Sequence, residues 1–280
     1  MRGLGFAERM LRRVVPRAMR NALDRAIVDL ERYHPPQVAA DPPGIRPLVL
    51  APHPDDESIG CGGTLALYAR LGVPVQVVFM TDGRLGDPAL RRLPVRSPRR
   101  ETLEAALVER RMAEARAALQ ALGATGGHFL GAPDGALGLA VDQVAPRLAD
   151  LLRELRPDVV LLPFVTDRHA DHAATGRCLL VAARQLGPGW GDAVDCLGYE
   201  VWSPIYANLA IDISAVMNVK RRAIACHASQ LQDADFLAGV EGLNRYRAVS
   251  GMVGGEYAEA FFRAPFPLFR TLHERLSHAV

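Results

Sequence analysis

The chain is poor in the residues that usually carry cross-links and phosphate contacts. It has 4 cysteines in 280 residues, Cys61, Cys178, Cys196 and Cys226, and no two of them form a C-x-x-C pair. A chain of this length buries enough surface to need no stapling. The spacing therefore excludes a disulfide framework or a structural zinc knuckle, and free thiols in a reducing cytoplasm are expected. Lysine is scarcer still: Lys220 is the single lysine among 33 basic residues. With abundant alanine, that arginine excess reads as GC-rich coding. The net charge of +2 is spread along the chain and forms no phosphate-binding stripe, so nucleic acid is not an expected partner. No uninterrupted apolar run has signal-peptide or membrane-spanning length. Internal repeats and low-complexity tracts are also missing. The 49% hydrophobic content suits a globular domain and excludes a disordered chain.

What is present falls into two parts. In residues 1–33, Met10, Leu11, Val14, Val15, Ala18, Met19, Ala22, Leu23, Ala26, Ile27 and Leu30 recur at helical spacing, with arginines on the other faces. This amphipathic stripe is expected to pack on the domain or on a sister subunit in a homo-oligomer. A second reading is a basic helix lying peripherally on an anionic membrane surface. A proline-rich linker, 35–47, follows. Residues 1–45 are thus expected as a helical extension and linker, and 46–280 as the main domain.

From residue 47 onward, strands and helices alternate. Strands are predicted at 47–51, 73–80, 128–130, 158–162, 196–202 and 209–213. Helices are predicted at 60–71, 101–122, 141–155 and 172–186, with a basic loop at 84–100 and mostly helical sequence after 213. The expected fold class is α/β: Rossmann-like, a mostly parallel sheet with helices on both faces. Ligands of such sheets bind beyond the carboxyl ends of the strands.

Two clusters of histidine and carboxylate sit at such ends. Pro52-His53-Pro54-Asp55-Asp56-Glu57 follows the first strand, and Asp167-Arg168-His169-Ala170-Asp171-His172 follows the strand at 158–162. Either alone reads as a solvated acidic turn; together on one sheet edge they read as a site, because so many carboxylates need a cation or partner. Imidazole with carboxylate suits Zn²⁺, with Fe²⁺ or another divalent metal as alternatives. A catalytic zinc takes about three protein ligands and leaves a position open for water, and an adjacent carboxylate can accept the water's proton. Spacing alone leaves open which of Asp55 and Asp56 is ligand and which is base. Gly60, Gly62 and Gly63 do not match a dinucleotide loop and are expected to serve close helix–strand packing. Cys61, Tyr257, Phe261 and Phe262 read as packing residues, and His227 as a helix-end histidine.

The motifs together resemble a known family. The first cluster with Gly60-Cys61-Gly62-Gly63-Thr64, the second cluster preceded by Pro163, Arg111-x-x-Glu114 on a helix, and Leu130-Gly131-Ala132-Pro133-Asp134-Gly135 occur in order. They are similar to the signatures of the PIG-L/LmbE-like N-acetylglucosamine deacetylases, between about residue 48 and about residue 180. The resemblance implies that His53, Asp56 and His172 hold the metal and that Asp55 is the general base. It implies that a protonated His169 stabilises the oxyanion or protonates the leaving amine, with Asp171 orienting His169 through a hydrogen bond. Arg111 and Asp134 would contact sugar hydroxyls. Arg84, read from its place after the second strand, would either meet an anionic substrate group such as a phosphate or be a solvated loop arginine. Some relatives carry a tyrosine just ahead of the second motif, whereas here the stretch is Phe164-Val165-Thr166-Asp167-Arg168. The implied activity is metal-dependent hydrolysis of a linear amide in an N-acetylated amino sugar or glycoconjugate, by a cytoplasmic enzyme. Two rivals remain: a phosphoesterase using the same carboxylates with two metals, and a sugar- or metal-binding protein without catalysis.

Overall fold

The computed structural model describes residues 35–232 and 235–276. The amphipathic stripe, and with it the membrane and self-association readings, lies outside the described residues. Among those described, no helix is long and apolar enough to cross a membrane.

Eight strands form one sheet in the order β1-β7-β8-β6-β5-β2-β3-β4. They are β1 (Gln37–Ala39), β2 (Pro47–Ala51), β3 (Gln76–Thr81), β4 (Gly126–Ala132), β5 (Val159–Pro163), β6 (Asp195–Tyr199), β7 (Leu209–Asp212) and β8 (Ala258–Pro265). All neighbours are parallel except β8, which runs antiparallel to both β6 and β7. The described helices are α1 (Asp56–Arg70), α2 (Pro88–Arg91), α3 (Pro98–Leu122), α4 (Val141–Leu155), α5 (Ala170–Leu186), α6 (Met217–Cys226), α7 (Phe236–Ser250) and α8 (Phe266–Leu276).

The central strands are apolar at nearly every position because both faces are covered. From β2, Leu48 and Leu50 join one core cluster with Leu148 and Leu152 of α4 and Leu179 of α5. Val49 and Ala51 face the opposite cluster, with Leu65 of α1, Leu119 of α3 and Ala223 of α6. Three expectations need correction. The linker contributes a strand, since Gln37–Ala39 pairs in parallel with Leu209–Ile211. The sequence after 213 is mostly helical, as expected, but it also holds an unexpected strand, β8, which inserts between β6 and β7. The basic loop holds α2, and α3 begins earlier than expected: Ser97 caps it by accepting from Arg100 N at 3.3 Å, with Pro98 in its first turn. The other end matches, with Gly123 in the left-handed conformation that closes the helix.

The strand order reverses between β2 and β5, which pair directly through Leu48 and Val160. That switch point opens a crevice at the carboxyl ends of both strands. Helix α1 leaves β2 at close quarters: a Cβ on Gly60 would lie 2.3 Å from Tyr199, and one on Gly63 would lie 2.7 Å from Ile213. These glycines serve helix–strand packing, as expected. Cys61 is fully buried, and burial pushes its thiol well above the ordinary range. It also departs from helical geometry, so α1 is kinked there. Glu259 of β8 satisfies the donors the kink releases, accepting from Gly63 N and Thr64 N, each at 2.7 Å. Its charge is matched by the chain's one lysine, Lys220 Nζ, at 2.6 Å.

Candidate active site

The turn after β2 brings the first cluster to the crevice. Asp55 precedes α1 with φ of 138°, a conformation L-residues rarely adopt, and such strain persists only where neighbours enforce it. Here they do. Asp55 N donates to Glu57 Oε2 at 3.0 Å. Glu57 Oε1 is held by His227 Nε2 at 3.1 Å and by Ser58 Oγ at 2.7 Å. His227 does end α6, as read, but it is buried and supports the loop of Asp55 from behind. The Asp55 carboxylate meets Arg111 Nη2 at 3.2 Å. Burial pushes Asp55 up to about 6, with Arg111 pulling the other way.

The turn after β5 delivers the second cluster. His169 caps α5 with its own ring: Asp171 N donates to His169 Nδ1 at 3.2 Å. A neutral His169 therefore carries its proton on Nε2, where it can donate to a substrate. Burial and the neighbouring imidazoles hold His169 below its ordinary value. Both effects disfavour the imidazolium expected from sequence and favour a neutral N–H donor.

Three candidate ligands converge. Asp56 Oδ2 lies 3.1 Å from His53 Nδ1 and 3.3 Å from His172 Nε2. A tetrahedral divalent ion with nitrogen and oxygen ligands about 2.0–2.1 Å away sets those atoms roughly 3.3 Å apart. Both imidazoles are backed by carboxylates on their remote nitrogens. His172 Nδ1 is 3.2 Å from Asp167 Oδ1, and His53 Nε2 is 3.1 Å from Asp134 Oδ1 and 3.3 Å from Asp171 Oδ2. Carboxylates so placed orient metal-binding histidines and raise their basicity. Both ring nitrogens of His172 are buried, and neither makes a hydrogen bond beyond the ion-pair contacts with Asp56 and Asp167. Burial disfavours charge on His172, yet Asp56 and Asp167 push it up to about 9. The same field would favour a metal cation in the proton's place. The residues present fit a divalent ion.

Among the described residues, the groupings whose ligand atoms all lie within 4.8 Å of one another are His53–His169–His172 and His53–Asp134–Asp171. The first would use His169 through Nε2, since its Nδ1 is engaged as a cap. The second would use carboxylates already accepting from Gly135 N, Leu137 N and Leu85 N. In the set of His53, Asp56 and His172, Asp56 Oδ2 faces both imidazoles and is itself held by the His53 backbone N–H at 2.8 Å.

Several expected roles shift. The Asp171 carboxylate does not touch His169; it holds His53 and the Pro-Asp-Gly loop, so its expected orienting bond is corrected to a backbone one. The guanidinium of Arg111 is committed to Asp55, to Pro54 O at 2.7 Å and to Gly83 O at 2.8 Å. Its position fixes the base more directly than it serves a sugar. Arg84 is paired with Asp82 and is not among the cavity-lining residues. Asp134 lines the cavity, as does Arg111. Sequence reasoning assigned nothing to Asp167, Glu57, Trp202 or Gln230. Asp167 stood within the second motif, and Trp202 follows β6 at the same sheet edge, so position could have found both.

Fold and site define a class: α/β proteins with a histidine–aspartate cluster at the switch point of a largely parallel sheet. The family model described as PIG-L: GlcNAc-PI de-N-acetylase matches residues 48–183, just under half of the chain, and this stretch holds all four motifs. A 1D-myo-inositol 2-acetamido-2-deoxy-alpha-D-glucopyranoside deacetylase of Kineococcus radiotolerans is 34% identical over 200 residues, 60% of this chain and 52% of that protein. The chain thus spans about half the length of that curated relative. The structure of N,N'-diacetylchitobiose deacetylase from Pyrococcus horikoshii superposes with a TM-score of 0.65 at 26% identity, covering 79% of this chain and 84% of that one. GalB, a 4-carboxy-2-hydroxymuconate hydratase of Pseudomonas putida, is also similar: TM-score 0.60, 26% identity, 78% and 95% covered.

Proposed function

We propose that this protein is a zinc-dependent N-deacetylase that hydrolyses the acetamide of an N-acetylglucosamine-type sugar or glycoconjugate to acetate and a free amine. One observation carries the reading: Asp56 Oδ2 faces both His53 Nδ1 and His172 Nε2, with Asp55 strained and partly buried beside them. Deacetylases among the relatives support it.

His53, Asp56 and His172 would hold the ion. Once bound, it supplies Lewis acidity that polarises the amide carbonyl and makes water acidic enough to lose a proton near neutrality. Asp55 takes that proton as the water oxygen adds to the carbonyl carbon. Arg111 and the Glu57–His227 pair keep Asp55 in place during the transfer. His169 Nε2–H donates to the oxygen on which charge develops. As the C–N bond breaks, the amine nitrogen takes from Asp55 the proton that Asp55 accepted from water, and acetate departs. Asp134 and the cavity floor contact the sugar.

The likeness to a hydratase favours one second reading, in which the same water adds to a carbon–carbon double bond. The two part on products. Acetate release from a panel of N-acetylated sugars, by the wild type and by Asp55→Asn, tests the proposal. The wild type is expected to release acetate and the variant to lose most of that activity. Hydration of an unsaturated acid with no acetate from any sugar supports the second reading instead.

A further inference from the structure

The cavity has two unlike sides. Its floor carries His53, Asp55, Asp56, Asp134 and His169, whereas one wall carries Val201, Trp202 and Phe236. Floor chemistry accounts for an acetamide and sugar hydroxyls. It gives no use for an indole that stays 41% exposed at the mouth. Exposure alone means little, since single exposed apolar side chains are common. Trp202 is distinguished by how it is held. Its backbone N–H donates to Asp167 Oδ2 at 2.8 Å. Phe236 meets the ring edge-on, with centroids 5.6 Å apart at 76°. The Arg168 guanidinium stands 5.8 Å from the ring centre. The other oxygen of Asp167 faces His172. One carboxylate therefore fixes both the wall and a candidate metal ligand, which sets the span between indole and reacting centre. A ring immobilised in this way binds with little further loss of conformational freedom.

We infer that Trp202 is the platform for the group attached to the N-acetylated sugar, and that this group offers a flat C–H or aromatic face, as a second pyranose or an aryl ring does. The inference rests on the deacetylase reading and deepens it. Arg111 is committed to Asp55 and to two carbonyls and Arg84, outside the cavity lining, to Asp82, which leaves Arg168, stacked over the indole, as the cation that the 1-phosphate substrate probes. Aromatic walls with a few convergent polar groups are the usual make-up of small-ligand sites, and aromatic faces reward stacking.

The test compares KM and kcat on N-acetylglucosamine, N,N'-diacetylchitobiose, a phenyl N-acetylglucosaminide and N-acetylglucosamine 1-phosphate. Wild type, Trp202→Ala and Trp202→Phe are measured, each loaded with Zn²⁺. The wild type should show a KM for the two ring-bearing substrates about threefold to tenfold below that for the monosaccharide. Trp202→Ala should bring that ratio close to one, and Trp202→Phe should restore most of it. A ratio unchanged in Trp202→Ala, or a wild-type preference for the 1-phosphate, overturns the platform. Acetate from no substrate sinks the deacetylase reading; calorimetric titration with diacetylchitobiose then decides the platform separately. Binding weakened in Trp202→Ala and recovered in Trp202→Phe keeps it, and equal or undetectable binding removes it.

Discussion

Asp167 Oδ1 lies 3.2 Å from His172 Nδ1, although no role for Asp167 follows from its place in the motif. The carboxylate orients the imidazole so that Nε2 points at Asp56, and it stabilises positive charge on the ring or on whatever the ring binds. Asp167→Asn keeps the shape and removes the charge. It should weaken Zn²⁺ affinity by about 10- to 100-fold, read by competition with a chelator. Unchanged affinity would show that the pair serves packing alone.

Asp55 makes a different demand, because it sits beside the ligands without belonging to the proposed set. Asp55→Asn should lower kcat by about 10²- to 10⁴-fold while one Zn²⁺ per chain still binds. Loss of the metal together with activity would make Asp55 a ligand and exchange its role with that of Asp56.

The Lys220–Glu259 pair predicts a stability effect with no direct part in chemistry. Both side chains are buried, and Glu259 also accepts from Gly63 N and Thr64 N at the kink of α1. Lys220→Met leaves a carboxylate buried without its cation, which costs about 3–5 kcal/mol. Urea unfolding should show the midpoint falling with the slope unchanged. A loss below about 0.5 kcal/mol, the size of an ordinary surface substitution, would contradict this account of the pair.

His227 should behave as a support for the base. His227→Gln retains a donor that can reach Glu57 Oε1, whereas His227→Leu leaves Glu57 without it. Activity should fall further in the leucine variant, chiefly in kcat, because the displaced group is Asp55 and not a substrate contact. An equal fall in both variants, carried by KM, would place His227 at the substrate instead.

Much of this was legible in the chain. Strands buried on both faces give apolar runs such as Leu48-Val49-Leu50, and the charged turns that end them stand out by contrast. That contrast located both clusters and the sheet edge they share. The unreadable parts depend on distant partners. β1 is three residues long and half exposed, and its pairing partner β7 lies some 170 residues further on. β8 carries a buried glutamate, which breaks the pattern of a core strand until Lys220 is seen beside it. The carboxylate of Asp171 was expected at His169, two residues away, yet it turns to His53 and to the backbone of Gly135 and Leu137. Spacing puts residues on one edge of a sheet, but rotamers and loop backbones decide which of them touch.

The central claim is best tested by product stoichiometry under metal control. The chain is stripped with a chelator, titrated with Zn²⁺, and assayed on an N-acetylated sugar for both acetate and primary amine. The account predicts no turnover without metal, a plateau at one ion per chain, and one acetate per amine throughout. Full activity in the stripped protein, or substrate consumed without equal acetate and amine, would contradict it.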